Sequence, residues 1–265
     1  MALIGTLTSG VSALRTFSKG LEVIGNNISN VNTTGYKSAA ASYGDTFSNT
    51  LRAATSASGD AAIQVGTGVQ ITGISTNFTQ GSLASTGNGT DLAVSGQGYF
   101  VVQDSTGRNY ATRDGAFRFD NDGFLVNSLG YKVLGEDGTP VQVEDYNEKA
   151  SVTIGSNGVI TVFEADGTSS EAATIGLLKI GDQSKLMKSG NNLYDFGSTG
   201  AAVGDMVQPG SEGAGTIQTG RLEMSNVDLT EQFSELITTQ RSFQAGSRLI
   251  TVSDSVLEDI VNLKR

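Results

Sequence analysis

Hydrophobic positions keep a long helical spacing at both ends of the chain. Steps of four and three residues from Leu229 reach Phe233, Leu236, Gln240, Phe243, Ser247, Ile250, Asp254, Leu257 and Val261. This is a heptad seam with polar interruptions, widened by Ile237, Leu249, Val256 and Ile260. No proline enters the run, Gly246 is its only glycine, and Asp228-x-x-Glu231 has capping-box spacing, so the pattern predicts one long C-terminal helix. From Ile4 the same steps reach Leu7, Val11, Leu14, Ser18, Leu21, Gly25 and Ile28, flanked by Phe17, Ile24 and Val31. An N-terminal helix follows, ended near Ile28–Gly35 by Asn, Thr and Gly residues that compete with the helical backbone. Each stripe needs a cover. Two arrangements supply one: both helices packing on a globular core, or an N/C-terminal coiled coil that leaves apolar surface for neighbouring copies.

Between the helices the period changes. Ala, Ser, Thr and Gly dominate residues 39–63, where Tyr43, Phe47 and Leu51 are spaced by four and allow a short helix. Residues 53–60 read as a loop, either solvated or ordered only on assembly. Strand-like runs follow at 65–83, at Leu92-Ala93-Val94 and at Tyr99-Phe100-Val101-Val102. From there short strands alternate with turns at Asp104–Gly107, Asp120–Gly123, Glu136–Gly138, Ser156–Gly158 and Asp166–Gly167. Asp-Gly and Asn-Gly turn chemistry between apolar runs predicts an antiparallel meander, a sandwich or rolled sheet. The expected fold class is α+β. Residues 1–35 are expected to form the N-terminal helix, 36–90 a partly flexible linker with a short helix or strand, 91–215 a β-rich domain, and 216–265 the C-terminal helix.

Composition narrows the chemistry. The chain of 265 residues has 35 glycines and 2 prolines, which suits many tight turns rather than a proline-rich linker. A net charge of −10 argues against a nucleic-acid partner. Without cysteine or histidine, disulfides, thiolate or imidazole metal sites, and Ser-His-Asp or Cys-His catalysis are excluded. No apolar run approaches the ~20 residues of a membrane span. The N-terminus lacks the basic start and continuous apolar core of a cleaved signal, so membrane insertion is not expected and export would read an uncleaved N-terminus. Asp120-x-Asp122-Gly123 resembles the start of a calcium loop but has its glycine too early and no closing glutamate, and a hairpin turn accounts for it. Gly66-x-Gly68 and Gly96-x-Gly98 lack the third glycine and the βαβ setting of a dinucleotide loop. No cofactor, metal or catalytic residue is expected, and the organisation suits a subunit better than an enzyme. A secreted β-rich enzyme or adhesin with helical ends is the reading from a different class.

Three ordered motifs carry a family resemblance. Val23-Ile24-Gly25-Asn26-Asn27-Ile28-Ser29-Asn30-Val31-Asn32-Thr33-Thr34-Gly35-Tyr36-Lys37 resembles the N-terminal signature of the bacterial flagellar rod and hook proteins. Gly81-Ser82-Leu83, Asp91-Leu92-Ala93-Val94, Gly98-Tyr99-Phe100 and Tyr110-Ala111-Thr112-Arg113-Asp114-Gly115-Ala116-Phe117 resemble the central motif. Ser225-Asn226-Val227-Asp228-Leu229 and Gln240-Arg241-Ser242-Phe243-Gln244 resemble the C-terminal signature. The resemblance implies a non-enzymatic axial subunit that polymerises with itself into a tube, helices inside and β domain outside. Its partners would be neighbouring axial proteins (rod, hook cap, hook–filament junction) and the flagellar type III export apparatus. Its place would be the basal body or hook, outside the cell after export without cleavage. Gly35-Tyr36-Lys37-Ser38, Tyr43-Gly44-Asp45-Thr46-Phe47 and Ile74–Gly81 look most like the hook branch, a tube that passes motor torque from rod to filament. The chain length suits the alternative, the distal rod. By analogy the self-assembly interface is Leu7, Val11, Leu14, Leu21 and Ile28 with Phe233, Leu236, Phe243, Ile250 and Leu257, residues that equally suit an intramolecular core. Asn26, Asn27, Asn30, Gly35 and Tyr36 mark the joint between helix and next domain, where helix-stop chemistry alone also accounts for them.

Overall fold

The computed structural model describes residues 2–52, 62–144, 151–164 and 168–263. The loop expected at 53–60 and the turn at Asp166–Gly167 lie outside the described residues. The chain forms two units. A helical unit takes Met1–Ser29, Ala39–Asn77 and Val227–Arg265, and a β unit takes Asn30–Ser38 and Phe78–Asn226.

The helical unit contains α1 (Ala2–Ser29), β1 (Ala39–Asp45), β2 (Ser48–Arg52), β3 (Ile63–Gly66), β4 (Val69–Thr76) and α2 (Leu229–Leu263). The Asp228 carboxylate caps α2, accepting from Thr230 N at 2.8 Å and Glu231 N at 3.3 Å. The two helices pair antiparallel as a coiled coil. Thr6 Oγ1 meets Ser253 Oγ at 3.4 Å near one end, and Asn27 Nδ2 donates to Gln232 Oε1 at 2.8 Å near the other. Between these contacts the helices approach closely over small residues. A Cβ placed on Gly10 would stand 2.9 Å from Ile250 Cγ1, and one on Gly246 would stand 3.5 Å from Leu14 Cδ2. The second distance is ordinary contact and the first is not. Gly246→Ala is therefore expected to raise stability by about 0.8–1 kcal/mol through helix propensity. Gly10→Ala is expected to lose that gain to the clash with Ile250. Thermal melting of the two variants checks this, and a shift of the same sign and size in both would contradict it.

The short helix suggested by Tyr43, Phe47 and Leu51 does not form. That segment is β1 and β2. β1 pairs antiparallel with β4 from Ala39↔Thr76 to Asp45↔Val69, with a register shift between Ser42 and Tyr43, and β2 pairs with β3. A partner some thirty residues away outweighs the local spacing. α1 holds this ladder through short polar side chains: Thr16 Oγ1 donates to Val69 O at 3.0 Å and Ser9 Oγ to Thr67 O at 3.2 Å. Tyr43 lays its ring against Phe17, centroids 6.0 Å apart. Every residue of β2 and β3 is exposed, with Phe47 between β1 and β2 91% exposed.

The β unit contains β5 (Leu83–Ser85), β6 (Leu92–Ser95), β7 (Tyr99–Gln103), β8 (Asn109–Thr112), β9 (Arg118–Phe119), β10 (Leu125–Val126), β11 (Lys132–Val133), β12 (Ser151–Ile154), β13 (Val159–Phe163), β14 (Ser169–Thr174), β15 (Leu177–Leu178), β16 (Met187–Gly190), β17 (Leu193–Asp195), β18 (Met206–Val207), β19 (Thr216–Thr219) and β20 (Arg221–Glu223). Nine of these make one antiparallel sheet, β16-β17-β8-β7-β11-β10-β9 with β15 bridging β7 to β18. β12-β13-β14 form a second sheet, and β6–β19 and β5–β20 are separate ladders. β7 explains its own continuous apolar run. Phe100 and Val102 enter one buried cluster with Phe117, Leu125, Ile160 and Ile217, while Tyr99 and Val101 enter another with Leu178, Tyr194 and Phe196. A strand covered on both faces has no polar alternation to show. Asp120-x-Asp122-Gly123 is the turn between β9 and β10, closed by Gly123 N donating to Asp120 O at 2.9 Å.

Candidate functional site

The helical unit offers surfaces. Of the helix positions singled out from the sequence, Leu7, Leu14, Leu21 and Ile28 are half-buried, as are Leu236, Phe243, Ile250 and Leu257. Val11 is 41% exposed and Phe233 50% exposed. The second row of the α2 seam is not the predicted Phe233, Gln240, Ser247 and Asp254. It lies one residue earlier, at Gln232, Thr239, Gly246 and Ser253, of which Gln232, Gly246 and Ser253 are buried and Thr239 is half-buried. In α1 the facing residues include Gly10, Gly20, Ile24 and Asn27, again one step from the predicted row. Small residues carry this contact because they let the backbones approach. A search for large apolar side chains passes over them.

The shift leaves α2 further apolar surface. Leu229, Phe233, Ile237, Leu249, Val252, Val256 and Ile260 are between 40% and 61% exposed. By helical rotation they fall in two patches on opposite flanks of the seam, Leu229, Phe233 and Ile237 near the start of the helix and Leu249, Val252, Val256 and Ile260 near its end, with Arg241 and Ala245 between them. Exposed apolar patches of this kind on a protein of −10 net charge are candidate interaction surfaces.

The β unit holds a buried ionic cluster built around Glu223, whose side chain is fully buried. Glu223 Oε1 receives Lys37 Nζ at 2.5 Å and Gly81 N at 3.0 Å, and Oε2 receives Arg113 Nη1 at 3.3 Å. Lys37 also donates to Thr79 O at 2.7 Å, and Arg113 Nη2 to Gly96 O at 2.9 Å. The Arg113 guanidinium lies over the Tyr99 ring at 4.9 Å. Burial lowers the Lys37 pKa, and the hydrogen bond and charge of Glu223 oppose that shift. Burial pushes the Tyr99 phenol up to about 12 and raises Tyr194 as well. These three charged residues went unnoticed as a site in the sequence. Their signal was there: Lys37 and Arg113 are charges set inside otherwise apolar or turn-forming motifs.

The joint residues divide between the units. Asn26 is exposed. In the helical unit Asn27 is 1% exposed, and its amide accepts from Ala39 N at 3.0 Å and donates to Ala39 O at 2.7 Å. In the β unit Asn30 accepts Thr33 Oγ1 at 3.1 Å through its side chain and Thr33 N at 3.1 Å through its carbonyl. Gly35 has φ +66°, and a Cβ there would stand 2.7 Å from Asp114 N, so both its backbone angle and its space demand glycine. Tyr36 is buried beneath Lys188, whose ammonium sits 5.0 Å from the ring centroid.

Asp114 ties this loop down by accepting Thr34 Oγ1 at 2.9 Å and Ala116 N at 3.3 Å. Burial raises its pKa, against those two hydrogen bonds, and the Asp91 carboxylate adds to the rise. A carboxyl whose folded pKa exceeds its unfolded value adds stability at low pH and loses it as pH rises through the folded pKa. Asp114→Asn, neutral throughout, is therefore expected to gain on the parent chain between about pH 4 and about pH 7. Melting temperatures at both pH values check this, and a constant difference would contradict it.

Among the described residues no group of acidic side chains has the arrangement of a metal site, and no described helix is long and apolar enough to cross a membrane.

Residues 7–37 match the flagella basal body rod protein family, 93–162 the flagellar hook protein FlgE/F/G D1 domain, and 218–263 the C-terminal family of the flagellar basal body rod FlgEFG proteins. The chain is 38% identical to the flagellar basal-body rod protein FlgG of Bacillus subtilis, over 99% of this chain and 100% of that protein. It is 36% identical to FlgG of Borreliella burgdorferi over 100% and 99% of the two chains. Similarity to the flagellar basal-body rod protein FlgF of Caulobacter vibrioides is 33% over 91% and 90%.

Proposed function

We propose that this chain, which belongs to the flagellar basal-body rod and hook protein family, is a subunit of the distal rod of the flagellar basal body. It is a structural axial subunit of the flagellum and not an enzyme. The observation that carries the rod assignment is similarity from end to end with proteins named as rod subunits, FlgG of two organisms, at 38% and 36% identity. The hook branch, favoured by the motifs around Tyr36, Tyr43 and Phe78, is less well supported by these relatives than the distal rod. Those motif residues sit in the joint loop, in β1 and just after β4.

The subunit polymerises with copies of itself through its terminal helices. The support is physical: α1 and α2 cover each other with a narrow row of small residues, and each still carries apolar surface. Val11 on α1 and the two exposed patches on α2, Leu229 to Ile237 and Leu249 to Ile260, would meet neighbouring copies, with Leu7, Leu14, Leu21, Ile28, Leu236, Phe243, Ile250 and Leu257 shared between the pair and the interface. One patch meeting a different patch on the next copy gives an open helical polymer instead of a closed ring. Other axial proteins would continue the tube at its two ends. The chain would reach its place through the flagellar export apparatus without loss of its N-terminus.

Electron microscopy of basal bodies from cells lacking the gene tests the assignment. A rod cut short is expected. A complete rod with the curved segment beyond it missing would return the protein to the hook.

A further inference from the structure

The chain passes between its two units at Ser29–Asn30, Ser38–Ala39, Asn77–Phe78 and Asn226–Val227. Inside the β unit, residues at three of these passages are bonded to one side chain. Asn226 Oδ1 accepts Ser38 N at 2.8 Å, and Asn226 Nδ2 donates to Thr79 O at 3.0 Å and Thr79 Oγ1 at 3.1 Å. Glu223 fastens the same passages one layer deeper, through Lys37 and through its own carbonyl, which accepts Gly35 N at 2.7 Å. Inside the helical unit Asn27 makes a comparable staple, holding both backbone groups of Ala39 and the Gln232 amide.

We propose that Asn226 is the knot of a torsional clamp, a positioning residue that holds three chain passages at fixed spacing so that they twist as one element. A single passage rotates about the two soft dihedrals of each residue. Three passages tied side by side cannot rotate without breaking the bonds between them. The amide side chain suits the task because it accepts from one passage while it donates to another, which a backbone ladder between neighbouring strands does not do across three segments. The clamp rests on the reading of this chain as an axial subunit that carries torque. What it adds is where the subunit's resistance to twisting resides.

The test uses the full chain with Asn226→Ala and Asn226→Asp. Amide hydrogen exchange of Ser38 reads the clamp directly. In Asn226→Ala it is expected to quicken by about fivefold, the worth of one net hydrogen bond of ~1 kcal/mol, while amides of β7 and β8 keep their rates. Asn226→Asp keeps the acceptor for Ser38 N and loses the donor to Thr79, so Ser38 should stay protected. Tomograms of basal bodies in cells carrying either variant are expected to show rods of normal length with a wider spread of curvature. An unchanged Ser38 rate in Asn226→Ala would overturn the clamp, as would rods that stay as straight as those of the parent. Should Asn226→Ala fail to fold, the rods of Asn226→Asp decide. Hydrogen exchange does not depend on whether the tube is rod or hook. A failed rod assignment in the gene-deletion experiment is therefore distinguishable from a failed clamp.

Discussion

Glu223→Ala is expected to lower the stability of the chain by about 3–5 kcal/mol, because it strands two buried cations. In a chain of this size that corresponds to a fall in melting temperature of roughly 6 to 20 °C. Lys37 is 0% exposed and Arg113 3% exposed, so neither can turn to water when the carboxylate goes. Lys37 would keep only the Thr79 carbonyl, and Arg113 only the Gly96 carbonyl and the Tyr99 ring. The carboxylate also closes the Gly81 amide. The converse change should be milder. In Lys37→Met the carboxylate keeps Arg113 and Gly81, and a flexible apolar side chain of similar length fills the space. The expected order is parent, Lys37→Met, Glu223→Ala, measured by thermal and urea melting. Equal losses in the two variants would mean that the cluster is not centred on the carboxylate.

The second large effect concerns assembly. The double change Ile237→Asp with Val252→Asp places one charge in each exposed apolar patch of α2, at positions 52% and 61% exposed. Folding of the single chain should change by no more than about 0.5 kcal/mol per site, as for other surface substitutions. Tube formation should be abolished, because each charge would be buried without a partner in every subunit contact. Phe243→Asp should instead damage both, since Phe243 is already half-buried in the α1–α2 seam. Circular dichroism and electron microscopy of the assembled structure separate the two outcomes. Normal tubes from the double variant would place the polymer contact elsewhere.

Much of the architecture was legible in the chain because it is local. The long helices follow from spacing and from Asp228, and the hairpins from Asp-Gly and Asn-Gly turns. The row of Leu236, Phe243, Ile250 and Leu257 was also found, since bulky residues at heptad spacing are easy to see. The other row was not, because Thr239, Gly246 and Ser253 contribute closeness and not hydrophobicity. Tyr43, Phe47 and Leu51 misled for a related reason. Their spacing is helical, and what puts Tyr43 and Leu51 in strands, with Phe47 between them, is pairing with Ile63–Gly66 and Val69–Thr76, which no window around them contains. The Glu223 cluster was the hardest to read. Its three charges lie at positions 37, 113 and 223, and nothing short of the folded β unit brings them together.

The antiparallel pairing of α1 and α2 also sets an order of events. Thr6 and Ser253 meet across 247 residues of sequence, among the longest separations the chain allows. Closing so long a loop comes late in folding, after nearer contacts have formed. Strands such as β7 and β8, joined by a five-residue turn, can pair while most of the chain is still unfolded. The helix seam must wait for α2. A copy of the chain cut short before α2 would therefore be expected to keep its β hairpins and to lack the α1–α2 seam.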